Sequence, residues 1–449
     1  MRRASHALLL CVICGAGLYS LRMEAESWKT TKTVCKDWAA DKKAYHNLEE
    51  CLADGFTLDP LGPTAGSIGS GSSVAGGLRF VEYFNKGRFQ SNVTLRGLYS
   101  LKNFYLFDGK YTMTMPPVGR WKTIGKNSKK FVDDDNSQVQ VQLSRSDLRS
   151  QDFYGLGRLS SLAGHALYRQ QQDTVGADAY TPLTSWSGVN GGVHYLSPEI
   201  KGVSGGGFPS VTTAYGEAGA PGSLARPSFV QVAIGGSLRT PTFKTRLPWE
   251  THHAQILYEH FSETGSSQYS FGRLSASASM SAVLKRNLKF DYTRPWYKDL
   301  ICEQGNDLHC TWGTFSAGGL TTASYVGAHS EVPFYLQPTL GGTDVNGVDT
   351  LRGLVDYRLR APNRVLVQTQ FDKKVAGPLG LYAFFDAGQV ELTPGQVELT
   401  PGQLSFVDLR KDVGVGATLS VQNKIVVRLY IGFGAGEGSH PNVKMPSAF

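Results

Sequence analysis

Beyond its first 20 residues, this 449-residue chain has no apolar stretch approaching the roughly 18–20 residues of a membrane-spanning helix. Helices therefore cannot carry it across a bilayer. A membrane location would demand a closed barrel, the other structure that satisfies every backbone polar group in lipid. Blocks of lysine and arginine are absent as well. The net charge of +8 is spread along the chain, which removes the electrostatic footprint of a nucleic-acid-binding protein. Cysteine is scarce, and no pair among Cys35, Cys51, Cys302 and Cys310 has the CxxC spacing of a zinc site. Motifs for chemistry are missing in the same way. Gly202-Val203-Ser204-Gly205-Gly206 fits G-x-S-x-G, but it sits in a glycine-rich loop without the helix that a nucleophile elbow needs. His252, His253 and His309 lack metal-ligand spacing. Asp133, Asp134 and Asp135 lack the glycine and distal glutamate of a calcium loop. The expectation is a chain that is not an enzyme and holds no metal or cofactor.

What is present begins with a targeting segment. Arg2 and Arg3 precede an apolar run over 7–18 that is too short to span a bilayer, so residues 1–25 read as a secretory signal peptide. Cleavage near Gly15-Ala16 and cleavage near Ala25 both fit. Leu10 precedes Cys11 where a lipoprotein processing site wants a small residue, which disfavours a lipid anchor. In an exported chain the four remaining cysteines are disulfide candidates, Cys35 with Cys51 and Cys302 with Cys310. Residues 26–77 form a separate stretch. Its first part, 28–52, has no glycine and few β-branched residues and reads as a short helix. Its end, 66–77, is a Gly/Ser-rich linker that fits no phosphate-binding loop.

From Leu78 onward the hydrophobic period is two. Val139, Val141 and Leu143 alternate with Gln138, Gln140 and Gln142. Val230, Val232, Ile234 and Leu238 alternate with Gln231, Ala233, Gly235 and Ser237. Val413, Val415, Ala417 and Leu419 alternate with Asp412, Gly414, Gly416 and Thr418, and Ile425 to Phe433 repeat the theme. The second face of a soluble sheet is usually charged. Here it is rich in Gln, Ser, Thr and Gly, which suits a polar lumen behind an apolar face turned to lipid. The 52 glycines fit many tight turns. The expected fold is all-β, a transmembrane antiparallel β-barrel over 78–449 of about 16 strands, with 12 or 14 also allowed. Tyr99, Phe104, Tyr105, Tyr154, Tyr258 and Tyr430 are candidates for interfacial girdles. The polar stretches 133–136 and 302–310 suit the external side. An exact duplication, VELTPGQ at 390–396 and again at 397–403, reads as a lengthened loop.

Three stretches in the C-terminal part resemble the bacterial surface antigen superfamily of outer-membrane β-barrels (BamA/TamA-like). Residues 332–342 (VPFYLQPTLGG) and 350–354 (TLRGL) look like that family's arginine–glycine loop. Residues 381–388 (LYAFFDAG) are similar to its aromatic strand ending in D-x-G, and 409–438 together with Phe449 resemble its closing strands. Weaker likeness reaches back to 153–157 and 195–199. The resemblance implies that Arg352 folds into the barrel and pairs with Asp386, beside Gly353. Gln370 and Asp372 are the candidates for a second inward partner. Gly341, Gly342, Gly347 and Gly353 would let the loop turn beside the wall. The chain departs from the pattern in two places. Leu354 stands where an aromatic is usual, and Pro441 and Pro446 interrupt the closing strand. Residues 26–77 leave no room for a periplasmic POTRA domain, so the expectation is a barrel-only variant.

Taken with the residue patterns, the resemblance implies a bacterial outer-membrane location and a role in membrane-protein insertion or translocation. The loop around Arg352 would plug the lumen. Partners would be outer-membrane lipid and client or accessory outer-membrane or periplasmic proteins, with no nucleic acid. A passive small-solute channel and a structural surface barrel are the alternatives.

Overall fold

The computed structural model describes residues 60–66, 68, 75–86, 89–115, 120–123, 129–132, 136–184, 186–240, 249–287, 309–344, 347–376, 379–391, 409–421, 424–434 and 436–444. The expected signal peptide, the helix over 28–52, Cys35, Cys51, Cys302 and most of the duplicated stretch lie outside them. Cys310 is described only as backbone in a strand.

The chain forms β1 (Leu61–Gly66), β2 (Ala75–Lys86), β3 (Phe89–Ser100) and β4 (Tyr105–Thr114), then a small ribbon of β5 (Arg120–Thr123) and β6 (Lys129–Val132). Long strands follow: β7 (Gln138–Phe153), β8 (Ala166–Pro182), β9 (Ser187–Gly202), β10 (Phe229–Thr240) and β11 (Trp249–Glu263). Next come β12 (Phe271–Asn287) and β13 (His309–Val326), and a second small ribbon of β14 (Thr339–Leu340) and β15 (Leu359–Arg360). The last strands are β16 (Asn363–Ala376), β17 (Leu379–Glu391), β18 (Arg410–Val421), β19 (Lys424–Gly434) and β20 (Gly438–Lys444). Leaving aside the two ribbons, 16 strands pair antiparallel in chain order into one sheet that curls into a nearly closed barrel. Among the described residues no ladder joins β1 to β20.

The alternation places the side chains as expected. Ile234, Val415, Leu381 and Ile256 are 65%, 58%, 56% and 53% exposed, and each lies on the outward face. Large aliphatic side chains left bare at this density mean a surface covered by something other than water. The opposite face carries polar pairs. Arg96 Nε donates to Asp108 across β3 and β4 at 2.8 Å. His194 contacts Asp178 at 3.1 Å and Gln142 at 3.2 Å, and Gln231 donates to Glu259 at 2.6 Å. Most of the barrel's strands match or exceed the roughly 9–11 residues that cross a bilayer at a tilt.

Two expectations need correction. The sheet starts at Leu61, not Leu78. β1 pairs with β2 from Leu61–Phe80 to Gly66–Ala75. Its two glycines and Pro63 carry no alternating signal, and a proline is tolerated because β1 is the sheet's edge. Phe104, Tyr154 and Tyr430 are buried, so they are not girdle residues, whereas Tyr99 and Tyr258 are exposed. A ring's position on a strand follows from parity and from the loops that cover it, not from ring chemistry. Residues 133–135 and 302–308, expected on the external side, lie outside the described residues.

At the end of the barrel with the β13–β16 connection, the polypeptide between strands folds inward. Phe153, Tyr168, Phe229, Phe261, Phe271, Phe334 and Tyr335 form a buried cluster there. Two single-turn helices, Val211–Ala214 and Gly216–Gly219, pack beside it in the β9–β10 connection. Neither helix has the length for the strand–turn–helix of a nucleophile elbow after Gly202.

Candidate functional site

The connection between β13 and β16 is long, and much of it is buried. Its base is the β14–β15 ribbon, where Thr339 pairs with Arg360 and Leu340 with Leu359. Leu340, Leu351, Leu354, Leu359 and Ala361 pack with Leu366 of β16 and Val390 of β17 in one aliphatic cluster. Leu354 therefore fills with aliphatic volume the place where an aromatic was expected. Arg360 has 0% exposure and anchors the base. It donates to the Phe334 carbonyl at 2.7 Å and to the Tyr168 hydroxyl at 3.1 Å. The rings of Phe153, Tyr168, Phe334 and Tyr357 surround its guanidinium at 5.5–5.8 Å. Cation–π contact in such a dry setting is worth up to about 2 kcal/mol or more.

From this base the connection lays Arg352 on the inner wall. Arg352 Nε donates to Asp386 Oδ2 at 2.8 Å and Nη2 to Oδ1 at 2.7 Å. This is the two-pronged geometry a planar guanidinium offers a carboxylate. The Arg352 backbone N–H adds a bond to Oδ2 at 3.2 Å. Nη1 donates to Gln370 Oε1 at 2.5 Å, and Gln370 Nε2 donates to both oxygens of Asp372 at 2.8 and 2.9 Å. Gln370 thus touches the arginine, while Asp372 acts behind it. Underneath, the Arg352 guanidinium carbon lies 3.9 Å from the centre of the Phe384 ring. Arg352 and Asp386 are 5% and 0% exposed. Removing one partner of such a pair leaves a buried charge uncompensated, at about 3–5 kcal/mol.

The wall is shaped to receive this backbone. A side chain on Gly353 would begin 2.5 Å from the Asp412 Cβ and 2.8 Å from the Gly434 nitrogen. On β19, a Cβ at Gly432 would meet the Arg352 carbonyl oxygen at 2.5 Å, and one at Gly434 would meet the Gly353 carbonyl oxygen at 2.4 Å. Main chain rests on main chain, and the Gly353 N–H donates to Asp412 Oδ2 at 2.9 Å. Gly353 therefore serves close approach, while Gly341, Gly342 and Gly347 hold positive φ in the turns. The glycines Gly414 and Gly416 of β18 lie under the Phe384 and Tyr382 rings, which completes an aromatic patch with Tyr430.

Further ion pairs fix the rest of the segment. Arg364 of β16 donates to Asp344 at 2.9 Å and to the Thr339 carbonyl at 3.0 Å. Arg358 donates to Glu437 at 2.6 Å and to the Ser160 hydroxyl and carbonyl at 2.9 and 2.8 Å. Asp349 bonds Lys444 of β20 and lies 3.7 Å from Arg428 of β19. Of the residues expected at this site, Arg352, Gly353, Asp386, Gln370 and Asp372 come together. Asp412, Gly432, Gly434, Asp344, Asp349, Arg358 and Arg360 join them without having been singled out. Parity alone placed Asp412, Gly432 and Gly434 inward, and that was the available signal.

No protein-family profile and no curated protein matches this chain. Among solved structures it is similar to BamA from Haemophilus ducreyi lacking POTRA domains 1-3, at 13% identity and a TM-score of 0.52. That match covers 86% of this chain and 69% of the other. CdiB from Acinetobacter baumannii and CdiB from Escherichia coli follow at 10% and 11% identity, with TM-scores of 0.46 and 0.48. Each covers 86% of this chain, which spans 60% and 62% of those proteins. The likeness to BamA is one of barrel fold.

Proposed function

We propose that this chain is an integral barrel of the bacterial outer membrane, of the surface antigen class, with a role in inserting or translocating other proteins rather than in catalysis. The segment carrying Arg352 acts as its lumen plug. Outer-membrane lipid covers the outward aliphatic face. Client or accessory outer-membrane or periplasmic proteins are its partners, taken up where, among the described residues, β1 and β20 share no ladder. The observation that carries the reading is the buried, two-pronged Arg352–Asp386 pair beneath a segment seated on glycine. A barrel built as an open pore has no need to bury a guanidinium against its own wall at that cost.

A second reading, a passive channel for small solutes, is favoured by the polar inner face of β7 to β12, where Gln142, His194, Gln231 and Glu259 form a hydrogen-bonded chain. Conductance of the refolded protein in a planar bilayer separates the two. A wild type that stays closed, with Arg352→Ala opening it, supports the plugged barrel. A steadily open wild type that Arg352→Ala leaves unchanged moves the assignment to the solute channel.

A further inference from the structure

The final hairpin of the barrel is restrained unequally. β20 pairs with β19 from Gly438–Gly434 to Lys444–Arg428. Among the described residues no ladder covers its other edge. A short edge strand with one neighbour, interrupted by Pro441, should fray. Yet Lys444, at its far end, is 15% exposed in its side chain.

The restraint comes from inside. Residues 349–358 of the β13–β16 connection follow the inner face of this hairpin and touch it at three levels. Asp349 binds Lys444 and approaches Arg428 at the strand's far end. Gly353 rests on Gly432 and Gly434 in the middle. Arg358 binds Glu437 at 2.6 Å in the β19–β20 turn, where Arg410 of β18 also reaches Glu437 at 3.4 Å. Numbers rise together along the segment and along β19, so the segment lies parallel to β19. The two ion pairs sit at opposite ends of the hairpin. Both have opposite signs matched across the contact, and the Arg358–Glu437 pair is 4% and 5% exposed.

We infer that residues 349–358 form a clasp on the closing hairpin, with Asp349–Lys444 and Arg358–Glu437 as its two ends, so that β20 can leave β19 only when the segment lets go. Arg352 fastens the clasp to β17, and Asp349 is the positioning residue that transmits its hold to the last strand. The inference concerns contacts within this chain, and it stands whether the barrel inserts, exports or conducts.

Hydrogen exchange of the full chain in detergent micelles tests it, read on a peptide covering 438–444. Asp349→Asn is expected to speed exchange there by about tenfold or more, the scale of losing one partly buried ion pair from a strand edge. Exchange in β10 and β11, remote from β19 and β20 in the sheet order, should stay as in the wild type. Asp349→Glu, which keeps the charge, is expected to retain more of the wild-type protection of β20 than Asp349→Asn does. If Asp349→Asn fails to fold, the pair Asp349→Cys with Lys444→Cys serves instead. Oxidation should then protect 438–444, and reduction should speed its exchange. Unchanged exchange in Asp349→Asn, or no difference between the oxidised and reduced cysteine pair, overturns the clasp. Neither outcome depends on conductance or on a client, so failure here leaves the proposed function standing.

Discussion

Asp386 and Asp412 face each other across β17 and β18 as register partners, both buried, and they hold opposite sides of one dipeptide. Asp386 takes the Arg352 side chain, and Asp412 takes the Gly353 N–H at 2.9 Å. Two carboxylates on adjacent strands are repulsive when left alone. The connection supplies a guanidinium to one and a backbone donor to the other, so its seating and the integrity of this wall depend on each other. Arg352→Ala should destabilise the barrel by about 3–5 kcal/mol, since Asp386 keeps its burial without its counter-charge. Arg352→Lys should recover part of the loss, as a point charge without the two-pronged geometry. Denaturant unfolding of the refolded protein in vesicles reads both. Equal stability in wild type and Arg352→Ala would mean that the pair contributes nothing.

Gly432 and Gly434 predict a different defect. A methyl at either position collides with the carbonyl oxygens of Arg352 or Gly353 and not with a neighbouring strand's side chain. Gly434→Ala should therefore lift the segment while the barrel remains folded. Limited trypsin digestion is the readout. Cleavage after Arg352 and Arg358 should appear in Gly434→Ala and be slow in the wild type.

How much of this was readable beforehand follows from the range of each signal. Strand faces were legible because alternation is local: Val413, Val415 and Ile431 fall outward by parity alone. The Arg352–Asp386 pair was legible because two short motifs, in order, resemble those of a family in which such residues meet. β1 was not, because Leu61–Gly66 has a proline and two glycines and is defined only by its pairing with β2. Gly432 and Gly434 were hidden for a related reason. A glycine's function lies in what approaches its missing side chain, and here that is a backbone some 80 residues earlier in the chain. No local pattern marks Asp349 or Glu437, because only the fold brings Lys444 and Arg358 to them.

The two faces of the sheet should respond differently to the same charge. Val415 is 58% exposed on the outer face near the middle of β18. Val415→Arg should cost about 2–4 kcal/mol of folding stability in lipid vesicles, the range for arginine at the bilayer midplane. Ser279 of β12 lies on the inner face, and Ser279→Arg should fold within about 1 kcal/mol of the wild type. Equal penalties would contradict the assignment of the aliphatic face to lipid.

Glu217 makes the β9–β10 connection sensitive to pH. Burial pushes its carboxyl up, but hydrogen bonds from the Tyr269 hydroxyl, the Leu224 and Gly222 N–H groups and the Ser223 hydroxyl outweigh that and hold it below the ordinary carboxylate range. The folded form therefore favours the ionised carboxylate. Its stabilisation is fully present above the unfolded carboxylate's pKa and is lost as pH falls through the lowered folded value. Tyr269 is shifted the other way, first by burial and then by its bond to Glu217, so it stays a donor across this range. Proteolysis of the 216–224 segment should consequently accelerate in acid, at pH below the normal carboxylate range. Glu217→Gln should be cut faster than the wild type at neutral pH and show no such acceleration. If the wild type and Glu217→Gln lose protection in parallel as pH falls, the acid sensitivity belongs to another group and the carboxylate is not what holds the connection.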